Sequence, residues 1–560
     1  MDNFDIADKF SLLSKMMDIH GENSFKSKSY AIASFNVEKI PDQLSEVKRE
    51  NIFSYKGIGE SIGKKIIEIL ETGELSQLRD LLYKTPLGVV EMLLIKGIGP
   101  KKIFTIWKEM EIESLGELLY ACNENRLLLY KGFGEKTQKN VQDAIEFYMR
   151  SKGSYLYPEA EKSALAIDKK IKAAYPKYQS ELSGEFKRQL EVINIVEWIT
   201  TIPLKELKNF FESLNFTIES EDGNTIIFKG SEGIKSQFHV TDEKSFFTTL
   251  VETSSSKEFL QFLKQQTILP GTDIITSEED VFTALKQPFI PAFLREDPDI
   301  FKKPLVKLLI QPADIKGIIH CHSTWSDGNS SIEELAKACI AAKMEYLVIS
   351  DHSKSAFYAN GLQEDRIKEQ QKHIDALNVT LSPFCIFKSI ECDILNDGSL
   401  DYPDDTLSTF DLVIASVHSN LKMNEQKAMA RLLKAIQNPY TTILGHMTGR
   451  LLLSRNGYPV DHKTIIESCA ANNVVIELNA HPRRLDMDWR HINYAIEKGV
   501  LISIDPDAHY IHGFDDIRYG VLSAQKAGLT KENNLSSFSL KDFNDFISNR
   551  KKIKGIGMKK

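Results

Sequence analysis

The period of apolar positions along the chain changes twice. Over residues 1–152 they recur at helical spacing, as in Ile62–Glu71 and Val141–Met149, which predicts a segment built of helices alone. Between about 155 and 312 short apolar runs such as Val192–Ile199 and Thr225–Phe228 predict strands among helices. From Gly317 onward, short and almost wholly apolar runs alternate with amphipathic stretches such as Ile332–Ala342 and Glu425–Ile436. Strands are predicted at Gly317–Cys321, Tyr346–Ser350, Phe387–Ile390, Leu412–Val417, Thr442–Leu444, Val474–Leu478 and Leu501–Ile504. Seven strands joined by helical crossovers predict a parallel sheet, and their repetition predicts a barrel. Prolines 288, 291, 298, 304 and 312 punctuate the approach to it and mark a linker.

Within the helical segment one loop pattern occurs three times: Lys56-Gly57-Ile58-Gly59, Lys96-Gly97-Ile98-Gly99 and Lys131-Gly132-Phe133-Gly134. Each precedes a helix, so the segment is an internal repeat of a hairpin set between helices.

Length adds that 560 residues correspond to three or four domains at roughly 150 residues each. A net charge of −8, from 70 basic and 78 acidic residues, excludes a protein that binds nucleic acid by being basic throughout. Residues 1–150 alone hold 21 Lys and Arg against 23 Asp and Glu, so any grip on DNA there must come from local geometry. The six cysteines form no CxxC pair and read as buried thiols of a reducing compartment. The N-terminus lacks a basic and an apolar leader segment, and no apolar run approaches the ~18–20 residues of a membrane span. The expectation is a cytoplasmic protein with no membrane partner.

The residues that follow the predicted C-terminal strands carry the chemistry. In order they are His320-Cys321-His322 with Asp327, Asp351-His352, Glu391 with Asp393, His418, His446, Asn479-Ala480-His481 and Asp507-Ala508-His509. C-terminal strand ends of a barrel share one mouth, and seven of the chain's 13 histidines fall there. Imidazole and carboxylate suit manganese, zinc or iron. The cluster exceeds what one four-coordinate ion needs, so two or three metals are expected.

These motifs, His320-Cys321-His322-Ser323-Thr324-Trp325-Ser326-Asp327-Gly328 above all, resemble the polymerase-and-histidinol-phosphatase (PHP) domain. The order of everything upstream is similar to bacterial family X DNA polymerases that carry this domain at their C-terminus. The resemblance implies a multidomain α+β chain. Residues 1–152 would be a helix-hairpin-helix region, 153–312 a nucleotidyltransferase-like palm and thumb, and 313–560 a distorted (β/α)7 PHP barrel. It further implies nine ligands for a cluster of three metals: His320, His322, Asp327, His352, Glu391, His418, His446, Asp507 and His509. The family uses this site, usually with manganese, as a 3′→5′ exonuclease and phosphodiesterase. Lys354, Arg450, His481 and Arg484 are candidates to hold phosphate.

The first two hairpins resemble helix-hairpin-helix motifs, which grip the DNA backbone without reading sequence. Gly57, Gly59, Lys64, Lys65, Gly97, Gly99, Lys101 and Lys102 are the candidate contacts. Lys65 matches the lyase nucleophile of some family X members, but a helix-surface lysine is the favoured reading. Residues Lys551–Lys560 read as a solvated basic tail.

A polymerase palm needs two Asp two residues apart on one strand, plus a third nearby. The corresponding positions here are Ile195, Glu197 and, by counting back from Thr253–Lys257, Gln237; the usual Ser is Glu185. Residues 183–200 contain no Asp at all. The expectation is an exonuclease acting on gapped, nicked or 3′-end DNA, with polymerisation lost. A working gap-filling polymerase with proofreading, a non-catalytic gap-binding scaffold and a small-molecule phosphatase are the alternatives.

Overall fold

Helical spacing of apolar residues folds the chain's first unit, Met1–Lys152, and no strand occurs among its described residues. The computed structural model describes residues 1–560 except 124–125, 152, 231–232, 267–274, 303–307, 357–358, 454–455 and 556–560. Asp2 and Asp5 form a capping box that starts the helix Asn3–Ile19, and Asn23 caps Ser24–Glu38. Each repeated loop then runs from a short 3-10 turn into a helix, the three helices being Glu60–Thr72, Pro100–Phe104 and Glu135–Ser151. The first glycine of each loop has positive φ: +86° at Gly57, +93° at Gly97 and +95° at Gly132. A side chain would be strained there, which is why the pattern demands glycine. Ile58, Ile98 and Phe133, between the paired glycines, are buried and tie each hairpin to the core. The third hairpin thus has the same backbone as the first two.

The second unit, Gly153–Lys560, contains three main sheets. In chain order its first strands are β1 (Tyr155–Leu156), β2 (Ser180–Ser183), β3 (Val192–Ile193), β4 (Val196–Thr200), β5 (Thr217–Asp222), β6 (Thr225–Lys229) and β7 (Lys235–Val240). Five of them form a mixed sheet in the order β2-β4-β7-β6-β5, with β4 and β7 parallel. Trp198 stacks on Phe238 and Phe211 on Phe228, so large aromatics fill the layer between sheet and helices. The expected strand Val192–Ile199 is broken at Asn194, whose N–H and side-chain amide both donate to Glu185. A separate helical core follows. There the fully buried Arg295 and Lys187 share Glu278, at 2.7 and 2.5 Å.

The remaining strands are β8 (Gly317–Cys321), β9 (Tyr346–Ile349), β10 (Cys385–Lys388), β11 (Glu391–Asp393), β12 (Val413–Ser416), β13 (Thr441–Leu444), β14 (Val475–Asn479) and β15 (Ile502–Asp505). All their pairings are parallel, in two sheets ordered β10-β9-β8 and β11-β12-β13-β14-β15. One face packs on the crossover helices (Ile318, Leu347, Ile476) and the other on facing strands and Phe543 (Ile319, Val348, Ile414), so both are buried, which explains the continuous apolar runs. The expected seven strands are eight, because the third breaks at Ser389-Ile390 and resumes as β11 in the second sheet. Single bridges, Cys321 to Ala508 and His352 to Glu391, join the two sheets.

The helix Leu540–Ile553 covers the end of this layer, with Phe543 stacked on Tyr346 at 4.4 Å. Lys551 and Lys552 therefore belong to a helix and not to a tail; residues 556–560 of the expected tail lie outside the described residues, as does Pro304. Within the unit, Arg518 forks onto Glu161 and Lys526 donates to the Arg188 carbonyl, fastening the mixed sheet's domain to the parallel strands. No described helix is long and apolar enough to cross a membrane.

Candidate metal centre

The predicted residues lie in or near the ends of the parallel strands: His320 within β8, His352, His418, His446 and Asp507 just after β9, β12, β13 and β15, and Glu391 at the start of β11. At β8 and after β15 the backbone does something L side chains avoid: His320 has φ +60° and Asp507 φ +51°. Between them the chains cross-pair, the His322 N–H donating to the Ala508 carbonyl and the Ala508 N–H to that of His320. This brings His320 Nε2 to 3.5 Å and His322 Nε2 to 3.1 Å from Asp507 Oδ1.

Glu391, the first residue of β11, lies at the middle. Its Oε1 has His446 Nε2 at 3.0 Å, His418 Nε2 at 3.1 Å and His320 Nε2 at 3.2 Å. Its Oε2 has His352 Nδ1 at 3.0 Å and His322 Nε2 at 3.6 Å. Five imidazoles from four strand ends, β8 supplying both His320 and His322, thus converge on one buried carboxylate. A second focus is Asp327, one-third exposed, with His509 Nε2 at 3.4 Å, His352 Nε2 at 3.6 Å and His322 Nδ1 at 3.8 Å.

The arrangement is short of hydrogens. His320 Nε2, His322 Nδ1, His446 Nδ1 and Glu391 Oε2 are buried without a hydrogen-bond partner. Buried polar atoms are ordinarily satisfied, so several unsatisfied lone pairs in one place call for something positive between them. Three sets of donors lie close enough to share an ion, all atoms within 4.8 Å: His322, Asp327, His352 and His509; His320, His322 and Glu391; His352, Glu391 and His418. The donor set fits divalent cations. Without a cation the electrostatics are those of mutual pairing: against burial, the surrounding carboxylates push His320 well up, His418 up to about 10 and His509 up to about 9. Burial alone would raise Glu391, yet the imidazoles of His418, His320 and His352 hold it well below the usual carboxylate range. Burial, reinforced by the charges of His352 and His509, pushes His322 down to about 3, which keeps its lone pairs available.

Two buried carboxylates brace the rim. Asp351 accepts from the N–H and hydroxyl of both Ser323 and Ser326 and from Gln370, fixing the loop between His322 and Asp327. Asp393 takes His418 Nδ1 at 2.5 Å. The four phosphate candidates separate. Arg484 Nε lies 3.5 Å from Asp507 Oδ2, at the cluster. His481 is half-buried, its Nδ1 accepting from the Arg483 N–H. Lys354 is paired with Glu364 at 2.7 Å. Arg450 is committed elsewhere: it donates to the Arg484 and Leu485 carbonyls and to Asp488, so it is a brace.

In the mixed sheet, Glu197 on β4 and Gln237 on β7 are register partners, and Ile195 precedes β4. Gln237 Nε2 reaches both Glu197 Oε2 (3.3 Å) and His239 Nε2 (2.7 Å), with His239 3.0 Å from the same carboxylate oxygen. The sequence reading missed His239, because only the pairing of β4 with β7 brings it there.

In the helical unit a Cβ at Gly59, Gly99 or Gly134 would meet nothing within 4 Å, so the start of each following helix is open to a ligand. Lys64 pairs with Glu60 at 2.6 Å, Lys65 and Lys102 lie over the rings of Tyr30 and Phe133, and Lys101 is exposed.

Family models match in three places: a helix-hairpin-helix domain over residues 1–75, a SAM-like helix-hairpin-helix tandem over 89–146 and a PHP domain over 319–481. The last match stops short of Asp507 and His509. The chain is 32% identical to the DNA polymerase/3′-5′ exonuclease PolX of Bacillus subtilis (strain 168), over 97% of this chain and 99% of that one. It is also 25% identical to a probable phosphatase of Thermoanaerobacter sp. (strain X514), over 38% of this chain and 86% of that protein. A probable phosphatase of Caldanaerobacter subterraneus is 30% identical over 34% of this chain and 74% of its own.

Proposed function

The chain belongs to the PolX family, bacterial family X DNA polymerases with a C-terminal PHP domain, and from that premise we propose a metal-dependent 3′→5′ exonuclease and phosphodiesterase of DNA ends that has lost nucleotidyl transfer. The observation that carries the proposal is the convergence of five imidazoles on the buried Glu391, where His320 Nε2 and Glu391 Oε2 are without a hydrogen-bond partner. Three ions would be held by the three close donor sets, His322, Asp327, His352 and His509; His320, His322 and Glu391; and His352, Glu391 and His418, with Asp507 and His446 beside them. Manganese is the proposed ion; zinc and iron suit the same donors. Bound divalent ions supply Lewis-acid activation of water and neutralise charge on the departing oxygen.

The chain's own residues do the rest. Neutral imidazoles present lone pairs, and the buried Glu391 and Asp507 bring the negative charge that holds cations in place. Arg484, beside Asp507, can offer guanidinium N–H groups to a non-bridging phosphate oxygen, with His481 and Lys354 as further contacts. Arg450 drops out of that role, since its guanidinium already holds the 484–488 segment. The hairpins at Gly57–Gly59 and Gly97–Gly99, with Lys64, Lys65, Lys101 and Lys102, hold the DNA backbone. Residues 1–152, 153–312 and 313–560 then act as DNA grip, inactive palm and hydrolase on gapped, nicked or free 3′ ends, and a DNA substrate implies the cytoplasm.

Loss of polymerisation rests on Ile195, which cannot ligate metal, and on Glu197 and Gln237, which are bonded to each other. A gapped duplex labelled at its 3′ end, incubated with manganese and nucleotides, tests both halves. The expected result is shortening without extension, abolished by His418→Ala. Templated extension would overturn the palm assignment, and digestion undiminished by His418→Ala would overturn the exonuclease.

A further inference from the structure

We infer that Glu477 is the positioning residue of the metal centre, setting the tautomer of His320 and anchoring His446 and Asp507; the inference rests on the metal-site reading above. Glu477 is a fully buried carboxylate in the middle of β14, whose five residues are all buried. Both oxygens are in use. Oε2 faces His320 Nδ1 at 2.5 Å. Oε1 accepts the His446 backbone N–H at 3.2 Å and the Asn479 side-chain amide at 2.9 Å. The same Asn479 amide donates to Asp507 Oδ2 at 3.1 Å. Directly at His320 and His446, and through Asn479 at Asp507, one side chain therefore bears on three expected ligands on three different strand ends.

The chemistry follows from hydrogen accounting. An ionised carboxylate only accepts, so the hydrogen between it and His320 sits on Nδ1. In the neutral ring Nε2 is then the lone pair, and Nε2 is the atom that faces Glu391 and Asp507, buried and without a hydrogen-bond partner. Glu477 thereby converts His320 into a ligand aimed at two carboxylates. Carboxylate partners of metal-bound histidines recur for this reason. Asp393 stands in the same relation to His418, but it touches only that one ring among the expected ligands.

Glu477→Gln tests the idea with almost no change of shape. The amide has one acceptor. Two N–H donors, from His446 and Asn479, claim it, so the NH2 turns to His320 Nδ1 and forces the ring's hydrogen onto Nε2. Manganese binding by the full-length protein, measured by calorimetry and elemental analysis, should weaken about 10–100-fold, the range for such outer partners. The metal-free variant should still unfold in one cooperative transition, at a midpoint lowered only modestly, so that the lost affinity reports the site and not the fold. Wild-type affinity in Glu477→Gln would overturn the inference. Should that variant fail to fold, nitrogen NMR of histidine-labelled wild-type protein decides: an Nδ1–H tautomer at His320 supports the assignment and an Nε2–H tautomer overturns it. A wild-type protein that binds no divalent ion would instead sink the metal-site reading itself.

Discussion

The mouth of the parallel sheets and the β4/β7 pair of the mixed sheet use one construction with opposite outcomes. In both, neighbouring parallel strands carry polar side chains to a shared point. At β4/β7 the point is Glu197, whose Oε2 faces the Gln237 amide and the His239 imidazole, and the amide's two hydrogens serve that oxygen and His239 Nε2. At the mouth the point is Glu391, ringed by nitrogens, with several of the surrounding buried atoms lacking any hydrogen partner. A supply of amide hydrogens closes the first site on itself. A deficit leaves the second in need of cations. Counting hydrogens thus distinguishes a metal site from a hydrogen-bonded cluster of similar composition.

The comparison breaks most visibly at Glu391. In Glu391→Ala the imidazoles lose the charge they share, and at least two of the proposed ions lose a ligand. Exonuclease turnover should fall by more than about 100-fold, beyond what loss of an outer partner causes. Manganese stoichiometry should fall with it, while affinity for gapped DNA stays within about twofold, since the proposed grip is in the helical unit. Digestion assays, elemental analysis and a binding titration on one preparation check all three. Retention of full metal content would make Glu391 a bystander.

The reverse experiment leaves the mouth untouched and strains a hairpin. Gly97 has φ +93° and open space around it, so Gly97→Val is opposed by the backbone alone. A left-handed conformation costs an L residue roughly 1–2 kcal/mol, which corresponds to about a tenfold weaker grip on DNA. The rate at saturating DNA should stay near wild type, so the change appears in KM. A defect in kcat with unchanged KM would separate this loop from DNA binding.

How much of this was readable from the sequence depends on whether the information is local. The ligands fall directly after apolar runs, so alternating periods point to His320, His352, His418, His446 and Asp507 without any fold in hand. The repeated Gly-x-Gly pattern likewise reports a positive φ, a local property. Residues whose roles come from distant partners stayed hidden. His239 matters because β7 pairs with β4, more than thirty residues earlier in the chain. Arg450 looked like a free rim cation until the 484–488 segment folded onto it. Glu477 left a usable signal: a charge inside an all-apolar strand needs a partner. The break at Ser389-Ile390 left little, because the polar Lys388 and Ser389 that interrupt the apolar positions also suit an ordinary strand.

The smallest expected effect is the most discriminating. Glu197→Gln keeps the shape of the β4/β7 cluster and removes its charge. If the palm is inactive, the exonuclease rate should stay within about twofold and no extension should appear with either protein. The only price should be stability. Glu197 accepts hydrogens as an ion while partly shielded from water, its side chain 16% exposed, so the loss should be about 1 kcal/mol in urea unfolding. The contrast with Glu391→Ala is then between two glutamates on parallel strands, each facing imidazole. If Glu197→Gln instead lowered manganese stoichiometry, the β4/β7 pair would hold an ion after all. The hydrogen count at Gln237 and His239 would then have to be redrawn with the amide oxygen and a bare imidazole nitrogen turned inward.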